Sequence, residues 1–478
     1  MANPKSTTQK GNSNLIAIIA MFFLFAMIAF VTNLAAPIGT IWGFKFEGNS
    51  VLGMLGNMMN FLAYLFMGIP AGKLLQKIGY KKTALWAMAI GVLGLLVQWL
   101  SSFVGAGTNV FEMHSTVIEN GVETVKDYVV SVNFIIYLLG AFICGFCVCM
   151  LNTVVNPMLN LLGGGGNKGN QLLQGGGTAN SMAATLTPFF VGALIGQLTP
   201  QTSMTDVQPL LWIAIGVFVA SFIVISFVSI PEPGIAKGNR TIKYEHSPWS
   251  FRHFVLGAIG IFIYVGIEVG IPGTMLFWLS DQSATGAGVT GAASAIAGAI
   301  VAIYWLLMLL GRFCSSFISG AVSSRTQLIV VATVAILLVV GAIFTSPQCT
   351  LPVPEFIYGP EDCVAGEYVQ AVVPVSAYLL ILCGLCTSVM WGGIFNLAVE
   401  GLGKYTAQAS GIFMMMVFGG GVIPLLQQVI AKDAGYMTSY WLIAGCLAFL
   451  LFYGLIGSKN VNKDIPVSLE DVMEEELV

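Results

Sequence analysis

Twelve stretches of this chain are each long and apolar enough to cross a lipid bilayer, and no other feature limits its fold so severely. They lie roughly at 14–42, 51–72, 84–103, 131–162, 172–197, 208–230, 252–279, 289–313, 327–345, 372–400, 407–432 and 438–457. A spanning helix needs ~20 predominantly apolar residues. In hydrocarbon every backbone N–H and C=O must find a partner within the protein, which commits such runs to helix. Hydrophobic residues make up 56% of the chain and charged residues 9%, against about 25% charged in soluble domains, and the mean hydropathy is +0.86. The first run is too long for a signal-peptide core and is read as a retained span. The expectation is an all-α membrane protein with twelve transmembrane helices in two six-helix halves. Residues 1–230 form the N-terminal bundle, 231–251 a polar, basic cytoplasmic linker carrying Pro231, Pro233 and Pro248, and 252–478 the C-terminal bundle with a short acidic tail.

Charge sets the orientation. With the N-terminus in the cytoplasm, sixteen of the nineteen Lys and Arg fall on cytoplasmic segments, and only Lys45, Lys126 and Lys432 fall outside. That is the positive-inside pattern, with an even number of spans leaving both termini cytoplasmic. Arg312, in Gly311-Arg312-Phe313, is counted at the cytoplasmic edge of the eighth run, free to snorkel or to pair with a neighbouring helix end. The basic residues are scattered along one membrane face, so they speak for contact with anionic lipid and not for nucleic acid.

Of the 22 carboxylates, one alone falls inside a span: Glu268, in IFIYVGIEVGIPGTMLFWL from Ile261 to Leu279. An ionisable group at bilayer depth costs a few kcal/mol and is a functional candidate by default. Tyr264, four residues earlier, shares its helix face, while Gly266, Gly270 and Pro272-Gly273 leave that helix breakable. The competing role for Glu268 is that of a hydrogen-bonding link between helices.

Amides and hydroxyls recur at span centres. Asn57, Asn60 and Tyr64 stack on one helical face of the second run, Asn152 and Asn156 sit one turn apart before Pro157, Asn33 precedes Pro37, and Asn180 precedes Pro188. Trp391 and Asn396 lie in the tenth run with Gly392 and Gly393 between them. These groups are the candidate lining of a polar cavity, with Trp391 available to stack on a sugar face; helix–helix links and plain packing are the alternatives. The glycine clusters Gly163–Gly166 and Gly175–Gly177 lack the Lys-Ser/Thr of a phosphate loop and read as an inter-helix loop and a close-packing helix face. No His falls in a span, so Cys144 and Cys147 are packing residues, and neither a metal nor a cofactor is expected. Cys349 and Cys363 share an outer loop and are placed to close a disulfide if that side is oxidising. The outer loop at 104–130 alternates in a way that suits a small hairpin and has no assigned function.

Six stretches are similar to the fucose/proton symporter family of the major facilitator superfamily, which includes bacterial fucose and glucose/galactose permeases: Tyr64 to Lys82, Asn152 to Pro157, Asn180 to Pro188, Tyr264 to Gly270, Tyr304 to Phe313, and Ile394 to Thr406. The resemblance spans both halves. It implies the major facilitator fold, alternating access, and uptake of a monosaccharide with a co-transported cation. It also marks three departures. The family pattern has an acidic residue four positions before the Pro of the first span, held here by Asn33, and a Glu opening the fourth-span motif, held here by Asn152. A Gln expected three residues before Asn180 is Gly177. An amide hydrogen-bonds a hydroxyl but takes up no proton, which leaves Glu268 as the coupling candidate.

The sequence therefore reads as a non-enzymatic transporter importing a small neutral carbohydrate, a hexose or hexosamine derivative, across a bacterial cytoplasmic (inner) membrane. A proton or Na+ is the possible coupling ion and a monomer the default state. No Arg or Lys lies deep in a span to hold a phosphate or carboxylate, which argues against an anionic substrate. The alternatives are an uncoupled sugar uniporter and, from the 21 Met and 31 Phe, an efflux transporter of hydrophobic compounds.

Overall fold

The computed structural model describes residues 4–46, 52, 55–119, 122–195, 201–228, 230, 232, 245–281, 286–289, 293–353 and 372–468. Its helices are α1 (Pro4–Lys45), α2 (Leu55–Leu100), α3 (Val132–Leu162), α4 (Gly166–Ile195), α5 (Gln208–Phe227), α6 (Arg252–Ser280), α7 (Ala293–Ile318), α8 (Ser324–Phe344), α9 (Val375–Val399), α10 (Thr406–Met415), α11 (Gly419–Ala434) and α12 (Tyr436–Phe452). At 1.5 Å per residue, the 46 residues of α2 would reach about 70 Å if straight, more than twice the ~30 Å hydrocarbon core. The helix breaks at Gly79, with φ 86° and ψ 174°, a conformation open to glycine, so α2 is two spans. Conversely, α10 and α11 are joined by the 3-10 turn Met416–Phe418 into one span. Among the described residues ten helical segments are long and apolar enough to cross a membrane. Counting α2 twice and adding the 30-residue helix α4 gives the twelve crossings that the apolar runs imply.

Two short backbone devices shape the connections. The helix that restarts after Gly79 has its first N–H groups capped from far along the chain: Tyr80 N–H and Lys81 N–H donate to the Glu232 carboxylate at 2.7 and 3.1 Å, satisfying donors that a helix start leaves open. Between α3 and α4, Gly164, Gly165 and Gly166 take φ values of 77°, 72° and 54°, so the expected glycine loop is a tight left-handed turn.

The segment after α2 forms an antiparallel hairpin, β1 (Asn109–Glu119) with β2 (Val122–Ser131). A second small ladder pairs β3 (Thr350–Pro352) with β4 (Val372–Pro374). Cys349 is exposed beside β3, whereas Cys363 lies outside the described residues, and the Cys349–Cys363 bridge with it.

The described chain forms two compact units. Residues 1–158 and 179–241 make the first; residues 159–178 and 242–478 make the second. In the first unit Trp42, Phe134 and Tyr137 are buried together, with ring centroids 4.7 Å apart for Trp42 and Phe134 and 5.6 Å for Trp42 and Tyr137. Large apolar side chains such as Phe227, Phe344, Leu337 and Phe317 are exposed, as expected of surfaces whose solvent is lipid.

Candidate transport site

In the first unit the residues that meet are Tyr64, Asn152 and Asn156. Asn152 Nδ2 donates to Tyr64 Oη at 2.8 Å and to the Val148 carbonyl at 3.1 Å. Asn156 Nδ2 donates to the Asn152 carbonyl at 2.9 Å, with Asn152 Oδ1 at 3.4 Å. Small residues make this approach possible: a Cβ on Gly145 of α3 would stand 2.5 Å from Ala63 Cβ and 2.9 Å from Asn60 Cα of α2. Asn60 is buried beside them, and its Oδ1 accepts no hydrogen bond among the described residues. Asn57 is half-buried on the same helix.

Two other candidates of the first unit bond to backbone carbonyls of α1. Asn33 Nδ2 donates to the Ala29 carbonyl of its own helix at 2.8 Å. Asn180 Nδ2 donates to the Phe25 carbonyl at 2.9 Å, so it is engaged in joining α4 to α1.

The second unit holds the charge. Arg312 Nη2 donates to Glu268 Oε1 at 2.9 Å, and the two side chains are only 12% and 15% exposed. This corrects the placement of Arg312 at a cytoplasmic edge. The guanidinium sits six residues inside α7 and reaches the same depth as Glu268, so a deep cation does exist. Desolvating either ion alone is expensive, and mutual compensation is what permits both. Tyr264, one turn before Glu268 and buried, lies within electrostatic reach of both charges, yet its hydroxyl makes no hydrogen bond of good geometry among the described residues. Its ring stands 6.2 Å from Trp391, which in turn meets Phe413 edge-on at 6.0 Å. Trp391 thus belongs to an aromatic wall beside the ion pair.

Asn396 is drawn elsewhere. It accepts from Asn160 Nδ2 at 2.5 Å and donates to Ser324 Oγ at 2.8 Å. Together with Asn160, Gly164–Gly166, Glu400 and Thr406 it lines a cavity of about 430 Å³ at the C-terminal end of α9.

Residues that sequence reasoning missed crowd the ion pair. Tyr304 of α7 is fully buried, its hydroxyl 3.4 Å from the Glu268 carbonyl and 3.0 Å from Thr387 Oγ1 of α9. Gly177 of α4 faces Arg312: a Cβ there would stand 3.4 Å from Arg312 Cδ, so a longer side chain would compete for the space the arginine stem occupies. The signals available beforehand were the family-like stretch Tyr304 to Phe313, the departure at Gly177, and the spacing of Tyr304 and Arg312, eight residues apart on one stripe of an apolar helix.

Residues 15–424 match the sequence model of the Major Facilitator Superfamily. The chain belongs to that superfamily. Membership makes it a multi-pass membrane transporter and not an enzyme. Among curated relatives, it is 28% identical over 466 residues to a protein of Brucella abortus biovar 1 (strain 9-941) named glucose/galactose transporter, covering 96% of this chain and 98% of that one. It is 21% identical over 431 residues to the L-fucose-proton symporter of Escherichia coli (strain K12), covering 84% and 83%. Among solved structures, a superfamily transporter, FucP, in the outward conformation superposes with a TM-score of 0.70 at 18% identity, over 94% of this chain and 100% of that one. The proton:xylose symporter XylE gives 0.63 at 11% identity, over 94% and 97%. At these identities the structural likeness speaks to the fold.

Proposed function

We propose that this protein imports a small neutral carbohydrate, a hexose or hexosamine derivative, by alternating access of its two six-helix halves, 1–230 and 252–478, with proton uptake at Glu268 as the coupling step. The observation that carries the proposal is the buried Glu268–Arg312 pair beside Tyr264 and Trp391. The cation corrected above is matched by a carboxylate, so the site is neutral overall and favours an uncharged ligand. Within the second unit the buried Tyr264 hydroxyl, and within the first the Tyr64–Asn152–Asn156 cluster, are of the donor and acceptor type that sugar hydroxyls require, and Trp391 of the second unit is an apolar ring. Full-length similarity to proteins named as sugar transporters favours the same substrate class.

A proton on Glu268 would cancel the charge that holds Arg312 and release the Nη2–H now donated to Oε1. Loading the site and loosening α6 from α7 are thereby one event. Removing Arg312 from the cytoplasmic tally leaves fifteen basic residues against three, which still supports cytoplasmic termini; a bacterial inner membrane is the setting these relatives favour. The test is uptake of a panel of labelled neutral sugars into proteoliposomes under imposed proton or Na+ gradients. One sugar should accumulate under a proton gradient, and Glu268→Gln should only equilibrate it. Accumulation untouched by that substitution would remove Glu268 from coupling, and failure of every sugar to move would overturn the carbohydrate proposal.

A further inference from the structure

Glu268 is gripped twice by α7, once through its side chain and once through its main chain. Pro272 lies four residues after Glu268 within α6 and has no N–H, so the helical hydrogen bond that the Glu268 carbonyl would accept is missing. A buried carbonyl with that bond removed needs another donor. The Tyr304 hydroxyl lies 3.4 Å from this same oxygen. Tyr304 has one hydrogen to give, and Thr387 Oγ1 stands 3.0 Å away on the other side. Thr387 Oγ1 also has the Cys383 and Gly384 carbonyls of its own helix at 3.1 and 3.2 Å; with its hydrogen turned to Tyr304 Oη instead, Tyr304 is left to donate to the Glu268 carbonyl. Gly384 makes the approach possible, since a Cβ there would stand 2.5 Å from the Tyr304 carbonyl oxygen. Eight residues along the same stripe of α7, Arg312 holds the carboxylate.

We infer that Tyr304 is a positioning residue: it replaces the backbone donor that Pro272 removes and so fixes the broken turn of α6 in the orientation that aims Glu268 at Arg312. The inference rests on the coupling role proposed for Glu268. Its defining consequence is that Tyr304 matters because residue 272 is proline.

A mutant cycle tests it, with Tyr304→Phe, Pro272→Ala and the double variant assayed for thermal stability in detergent and for the pH profile of sugar accumulation. Tyr304→Phe keeps the ring and loses only the hydroxyl. It should lower coupled uptake about fivefold, the factor corresponding to the net contribution of one ordinary hydrogen bond, and displace the pH midpoint. In the Pro272→Ala background, where the Glu268 carbonyl regains an intrahelical N–H, the same substitution should have little effect on either readout. An equal defect in both backgrounds, including equal failure to fold, overturns the inference. Outcomes for the two proposals are separable. A thermal cycle showing rescue while Glu268→Gln still accumulates sugar removes the coupling role and keeps the carbonyl partnership; an additive cycle with Glu268→Gln uncoupled does the reverse.

Discussion

The first helix of each half proposed above carries a polar residue four positions before a proline: Asn33 with Pro37 in α1, Glu268 with Pro272 in α6. In both, the proline strips a hydrogen bond from the polar residue's own carbonyl. The outcomes differ. Asn33 turns its amide back onto Ala29 of the same helix, 2.8 Å away, and is neutral whatever the pH. Glu268 reaches across to another helix for a counter-ion and borrows a tyrosine for its carbonyl. A broken turn is therefore a place where chemistry can be installed, and the residue at its start decides whether the site carries charge. In this chain the charge sits in the second unit, whereas the first offers a neutral amide–hydroxyl cluster.

The largest effect that bears on this contrast is loss of one member of the ion pair. Glu268→Gln or Arg312→Gln alone leaves a buried charge unmatched and should cost ~3–5 kcal/mol, read as a lower thermal midpoint. The double replacement should recover most of it, and a double variant as unstable as the sum of the singles would mean the two charges are not compensating one another. Next in size, Asn33→Asp installs a carboxylate at the corresponding turn of α1. A cost of ~2.5–3.5 kcal/mol is the insertion-scale expectation, together with a new acid limb in the pH profile of uptake; an unchanged profile would show that the two turns are not functionally comparable. Smaller still, Tyr64→Phe removes the acceptor for Asn152 Nδ2 at about 1 kcal/mol, which should appear as weaker sugar binding with maximal rate retained. A fall in rate alone would take the first-unit cluster out of substrate binding.

The smallest effect is expected at the β1–β2 hairpin, where His114 Nδ1 and Asp127 Oδ1 lie 2.6 Å apart on an exposed surface. The hydrogen bond to Asp127, and then its charge, hold the imidazole above its ordinary value. A raised histidine contributes its stabilisation fully below its unfolded pKa and loses it as pH climbs through the folded one. In an NMR titration Asp127→Asn should bring the His114 midpoint down while sugar uptake is unchanged.

Much of this architecture is legible in the sequence because lipid leaves few options: apolar length dictates helix, and the Tyr264-to-Glu268 spacing dictates a shared face. The hairpin at 109–131 also follows from local alternation. What stayed hidden is of another kind. Whether Arg312 snorkels or pairs depends on the packing of α6 against α7, and local pattern carries no record of it. Asn180 and Asn396 read alike as cavity linings because they are polar within apolar helices, yet Asn180 is tied to Phe25, whereas Asn396 both lines a cavity and bonds Asn160 and Ser324. The same polarity serves a link or a ligand, and only the partner distinguishes them. Gly177 illustrates the converse, since its role is the volume it leaves to Arg312.

The division of the chain into units is not the division of the chain at its linker, because residues 159–178 group with the second unit although they precede the linker in sequence. Glu232 fastens the end of the first stretch onto Tyr80 and Lys81, and Asn462 Oδ1 accepts from Arg252 N–H at the start of α6. A protein cut between 233 and 244 and produced as two co-expressed fragments should therefore co-purify through a tag on either piece, since the first fragment lends the second a part of its own fold.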